Sequence, residues 1–185
     1  LEALAASIGG GAGDDATQLF VSAPSASAGA VGAVLADVVR NPTFAEAEVA
    51  RSRTQAVNGL RVNLRQPGPL ASLVLNRLVY GAAPYGAPTS GTPDSIAALT
   101  RDEIAAFHQR WWRPDNAALI ITGGMEPDAA FAFAEATLGS WARPAGPAPT
   151  VTGRAGAVQP PRVVVVDLPG SGQAAVTAAV RAPRR

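Results

Sequence analysis

An α+β fold is predicted for this 185-residue chain by three features of its sequence. Apolar strand-like segments, "TQLFVSAP" and "NAALIITGG", are separated by long stretches with helical periodicity. Those stretches open on cap signals and close on Gly or Pro. A Pro/Gly-rich span, 142–161, then precedes a last β-rich segment, "RVVVVDLPGSGQAAVTAAVR".

Taken in order, "LEALAASIGGG" reads as the end of a helix stopped by Gly9 and Gly10, since glycine readily takes the left-handed cap conformation. Thr17 to Pro24 alternates as a strand, and Ser25 or Ser27 offers a hydroxyl to cap the apolar run "AGAVGAVLADVV" as a helix. Thr43 and Glu46 have capping-box spacing and no breaker follows until Pro67, which predicts a long helix. Val49, Ala56, Val57, Leu60 and Leu64 make its expected buried stripe. The next helix has Pro69 in its first turn and carries "LASLVLNRLV" to the loop "YGAAPYGAPTSG". Thr92 with Pro93 starts a short helix, and Thr100 with Glu103 caps another that runs toward Trp111. "NAALIITGG" is an apolar strand ended by glycines, and "EPDAAFAFAEATLG" a helix with Pro127 early and Gly139 at its end. The expected domain order is 1–141, a linker over 142–161, and the first strands of a second domain over 162–185.

Composition narrows the function classes. Apolar residues make up 48% and charged residues 16%, a globular rather than disordered balance. All fifteen basic residues are arginine, yet the net charge is only +1, so a nucleic-acid binder with a basic face is not expected. The absence of cysteine excludes disulfides, thiolate zinc sites and cysteine nucleophiles. No run approaches the ~20 apolar residues of a membrane span, so none is expected.

Candidate chemistry is sparse. His108 is the only histidine, and Ile104, Phe107 and Trp111 stand on its helical face, which favours a partly buried imidazole with a local hydrogen bond over a catalytic one. Arg51, Arg61 and Arg65, with Arg53 and Arg77, lie in a stretch from Val49 to Pro93 that has no Asp or Glu. Such a stretch can face an anion or a partner, but arginines spread over the helix without interleaved aromatics favour a solvated face. "SIGGGAGDD" and "LPGSGQ" match no phosphate-loop pattern and read as turns. Asp14 with Asp15 and Asp94 with Asp102 read as turn and cap carboxylates, and serines and threonines without a histidine base make no triad.

The phrases "NPTFAEAEVARSR", "APYGAPTSGTPDSIAALTRDEIAAFHQRWWRPDNAALIITGGMEPDAAFAFAEATLGSW" and "VVVVDLPGSGQAAV" carry a resemblance. Over Thr17 to Trp141 the chain resembles the insulinase-like zinc peptidases of the M16 clan, which include pitrilysin, the mitochondrial processing peptidase and the core proteins of the cytochrome bc1 complex. The resemblance implies an antiparallel-rich sheet packed by helices on one side, followed by a second, similar domain. It places Arg113, Pro114, Asp115 and Asn116 at the connection from a helix into the central strand, and so puts His108 in a fold signature.

The clan's chemistry uses an inverted His-x-x-Glu-His motif, expected upstream of Leu1, and a glutamate further along a long helix. By the resemblance that glutamate falls near "QAVNGL", where this chain has Gln55, Asn58 and Gly59, and a neutral amide is a poor zinc ligand. The expectation is therefore a non-catalytic half, with no catalytic, cofactor-binding or metal-binding residues of its own. Zn²⁺ is expected in a catalytic M16 partner half, in the same chain or a separate subunit, and the two would enclose a peptide substrate. An active peptidase whose ligands lie outside these residues, or a scaffold like the bc1 core proteins, are the alternatives. Export, as to the periplasm of a bacterium, is expected from the resemblance, a cytoplasmic place being the other option.

Overall fold

The computed structural model of the chain describes residues 1–151 and 162–180, so much of the predicted linker, 152–161, lies outside the described residues. The described part is helix-rich with one two-stranded antiparallel sheet, an α+β arrangement. Its residues gather into two units: Leu1–Ala45 with Thr100–Thr150, and Glu46–Leu99 with the described residues from Val151 on.

The first unit opens on a hairpin of β1 (Ser7–Ala12) and β2 (Thr17–Ser22). The predicted helix end is thus a strand. Gly9 stands opposite Phe20, and a side chain on Gly9 would meet the Phe20 ring. The glycine leaves room for an aromatic ring to cover its bare backbone across the ladder, which suits a strand as well as a cap. A 3-10 turn, Ser25–Ser27, leads into α1 (Ala28–Arg40), and neither serine side chain caps it. A backbone carbonyl of the turn does that work instead, the Ala28 N–H donating to the Ser25 carbonyl.

One face of α1 buries Val31, Gly32, Ala36 and Val39 at helical spacing, and α1 packs on α6 (Pro127–Leu138). Gly32 lets the helices close up: a β-carbon there would stand 2.8 Å from both Phe133 and Thr137. Each valine so buried stabilises the packing by roughly 1.5–3 kcal/mol.

Between them in the sequence, α5 (Arg101–Trp111) begins with a full capping box. The Thr100 oxygen accepts from the Glu103 N–H at 3.2 Å, while the Glu103 carboxylate accepts from the Thr100 N–H and hydroxyl, each at 2.8 Å. Residues 117–122 follow in extended form at Ala117, but no β-ladder forms there, so the predicted strand is absent among the described residues. A strand exists only by its neighbour's hydrogen bonds, and Ile120 remains 83% exposed. Gly139 ends α6 in the right-handed region, φ −59°, not in the left-handed cap.

The second unit holds α2 (Glu46–Asn63), α3 (Pro67–Tyr80) and α4 (Pro93–Ala98). Glu46 is the first helical residue of α2, not the third, so the predicted Thr43–Glu46 box has no place. Of the predicted stripe, Val57 is buried and Val49, Leu60 and Leu64 half-buried, while Ala56 is exposed. Arg53 replaces it on the inner side, where its guanidinium donates to the Leu99 carbonyl at 2.7 Å beside α4, against which α2 packs. Pro67 and Pro69 lie in the first turn of α3, and Gly81 closes it with φ 59°. Thr92 and Ser95 cap α4 reciprocally. Residues 162–180 make a turn at Gly170, φ 78°, without the predicted strand pairing, and Val163 and Val165 stay 96% and 88% exposed.

Candidate functional site

His108 sits half-buried on α5, its imidazole stacked on Trp112 at 5.5 Å and met edge-on by Phe44 at 5.6 Å. Its Nε2 lies 2.9 Å from the Val39 carbonyl. A carbonyl only accepts, so Nε2 carries the proton and donates. Val39 belongs to the last turn of α1, whose final carbonyls have no partner within the helix. The imidazole is therefore a cap on another helix, and its hydrogen bond spans the sequence instead of being local as predicted. Phe107, predicted on the same face, is 53% exposed and pairs with Trp111 at 6.2 Å. Nothing here poises the ring for proton transfer to a ligand.

The segment after α5 is built round Arg113, only 6% exposed. Its fork donates to both oxygens of Asp115, at 2.7 and 2.8 Å, and to the carbonyls of Gly146 and Pro147, at 2.9 and 3.2 Å. Arg143 reaches the same carboxylate at 2.9 Å. The hydrogen bonds from Arg113, then the charges of both arginines, hold the Asp115 carboxyl below its ordinary range against the opposing effect of burial. Asn116 adds a bond from its side-chain amide to the Trp111 carbonyl. Sequence reasoning placed these residues in a fold signature; that the arginine would bind the start of the Pro/Gly-rich span was not legible, because those carbonyls lie more than thirty positions away.

The outer face of α2 is the other candidate. Arg51, Thr54, Gln55, Asn58 and Arg61 are all exposed and recur at helical spacing, and Arg65 extends the row into the closing turn. The arginines at 51, 61 and 65 are thus gathered on one side and not spread round the helix, whereas Arg53 and Arg77 are turned to backbone carbonyls. Ala50, Arg51, Thr54, Gln55 and Asn58 line an open depression of about 560 Å³. Arg51 is held by Glu48 at 2.7 Å, and the Thr54 hydroxyl donates to the Ala50 carbonyl at 2.9 Å.

This face does not fit a zinc ion. It presents two neutral amides with guanidinium groups on either side, where Zn²⁺ requires imidazole or anionic donors. A β-carbon on Gly59 would meet nothing within 4 Å, so crowding does not explain the missing side chain. No three His, Asp or Glu side chains cluster in metal-binding fashion among the described residues. The Gly-rich hairpin and the Gly170 turn form no cradle with a helix start, and no helix among the described residues is long and apolar enough to cross a membrane.

Comparison with known proteins bears on both candidates. Residues 98–185 match the family model described as the peptidase M16 inactive domain. An uncharacterized zinc protease of Mycobacterium leprae is 26% identical over 107 residues, which are 58% of this chain and 24% of that protein. An uncharacterized zinc protease of Bacillus subtilis is 23% identical over 92 residues, 50% of this chain and 22% of that one. Among solved structures, a peptidase M16 inactive domain from Pseudomonas fluorescens superposes with a TM-score of 0.74 at 30% identity, over 80% of this chain and 36% of its own. A protease from Helicobacter pylori shares the fold, with a TM-score of 0.75 at 18% identity over the same shares. The chain spans about a quarter of the length of the curated relatives and about a third of the solved ones.

Proposed function

We propose, from the match of residues 98–185 to the peptidase M16 inactive domain and the fold shared with a solved M16 inactive domain, that the chain is a non-catalytic half of an insulinase-like zinc metallopeptidase. It helps to enclose and bind a peptide that a zinc-bearing partner half, in the same chain or a separate subunit, hydrolyses. The observation that carries this reading is the face of α2. Where the resemblance expects a carboxylate ligand, the helix presents Gln55 and Asn58, with arginines at 51 and 61 on either side. Such a face repels a divalent cation but suits a polypeptide, because each side-chain amide both donates and accepts, as peptide groups do. Zinc bound in the partner supplies an activated water. The residues here contribute contact with the substrate and a wall against bulk solvent. The same reading puts the pair in an exported compartment, which cell fractionation checks.

The test uses the full-length protein with its partner half, measuring zinc content and cleavage of a peptide with and without the half that contains these residues. The partner alone is expected to keep its zinc and lose cleavage. Zinc held by side chains of residues 1–185, or cleavage undiminished without them, defeats the proposal.

A further inference from the structure

We infer that the outer stripe of α2 binds an extended acidic peptide, its carboxylates meeting Arg61 and Arg65 and its backbone meeting Gln55 and Asn58. This rests on the peptide-enclosing role and adds the class of peptide enclosed. From Arg51 to Arg65 the stripe runs about 20 Å at ~1.5 Å per helical residue, room for roughly six extended residues at ~3.3 Å each.

Charge decides what fits. Arg51 is already neutralised by Glu48, but the guanidinium groups of Arg61 and Arg65 are exposed and make no hydrogen bond or ion pair among the described residues. No Asp or Glu occurs from Val49 to Pro93, so the surrounding sequence supplies no competing carboxylate. Two unpaired cations one turn apart repel each other, and an incoming anion relieves that repulsion. Their separation along the axis, about 6 Å, is close to the ~6.6 Å between alternate side chains of an extended chain. An acid-x-acid pattern therefore places both carboxylates within reach of a planar guanidinium fork. Beside them, Val62 is 59% exposed and offers the intervening side chain an apolar contact. The amides of Gln55 and Asn58, at the open depression, carry no bond within the described residues and remain available to the peptide backbone.

The experiment measures fluorescence anisotropy of a short fluorescein-labelled peptide containing Glu-Ala-Glu, its Gln-Ala-Gln counterpart and a short single-stranded DNA, each against the full-length protein. The Glu peptide is expected to bind about tenfold tighter than the Gln peptide, the sum of two exposed charge pairs. The double variant Arg61→Gln/Arg65→Gln should erase that difference with its circular dichroism unchanged, while Arg110→Gln, which removes an arginine from α5, should retain it. Equal binding of the two peptides overturns the acidic preference and leaves the enclosing role standing. If neither peptide binds, the enclosing role falls with it. DNA binding as tight as the Glu peptide's, lost in the same double variant, overturns the inference in favour of a general polyanion site.

Discussion

Arg113 is a buried cation, and its stability depends on every donor finding an acceptor. Asp115 takes two of its hydrogen bonds and the Gly146 and Pro147 carbonyls take the others, so the guanidinium joins the end of α5 to the start of the Pro/Gly-rich span. Lysine keeps the charge but not the fork. Arg113→Lys is therefore expected to lower the melting temperature and to raise severalfold the rate of proteolysis around 142–151. A variant cleaved no faster there than the parent would show that the span is held by other contacts. The pH dependence follows from the depressed Asp115 carboxyl. Its contribution is complete above the unfolded pKa, about 4, and is lost as the pH falls through the lower folded value. Asp115→Asn should remove that part of the acid response.

Helices were legible in the sequence where their starts are written locally. The Thr100–Glu103 box and the Thr92 cap need only neighbours three residues away, and both form. Thr100→Ala should destabilise the protein by about 1 kcal/mol, read as a shift in the denaturant midpoint, and an unchanged midpoint would mean that packing alone sets the start of α5. Glu103, held below its ordinary range chiefly by the Thr100 backbone N–H, contributes above its unfolded pKa, about 4.3, and loses that contribution as acid protonates it. Strands were less legible, because pairing is not a local property. "SIGGGA" carries helix-stop residues yet pairs with "TQLFVS", while the strongly apolar "ALIIT" has no ladder. The candidate site lay between these cases. The spacing of Arg51, Gln55, Asn58, Arg61 and Arg65 was in the sequence, but Arg53 and Arg77 blurred it. Only the structure shows that those two are tied to backbone carbonyls, Arg53 to Leu99 and Arg77 to Gly81, and leave a single outer row on α2.

Across the whole molecule, the resemblance to M16 proteins was open to sequence because one long ordered phrase, centred on "FHQRWWRPDN", keeps its caps, its His108 contact and its Arg113 fork together within one unit. The apolar segments outside helix and ladder set a different constraint. Ile120 is 83% exposed in the first unit, and Val163, Val165 and Val176 are 96%, 88% and 95% exposed in the second. Apolar backbone outside any helix or ladder offers N–H and C=O groups beside hydrophobic side chains, the combination that recruits another strand. A polypeptide limited to residues 1–185 is accordingly expected to bind a hydrophobic dye and to associate as its concentration rises, measured by light scattering after gel filtration. Replacing Ile120 and Val165 by threonine keeps the branched shape and removes apolar surface. Since both side chains are already exposed, the change should cost less than about 0.5 kcal/mol of stability while reducing dye binding and association severalfold. A monomer that binds no dye at any concentration would show that these segments are covered in solution by contacts of the chain with itself.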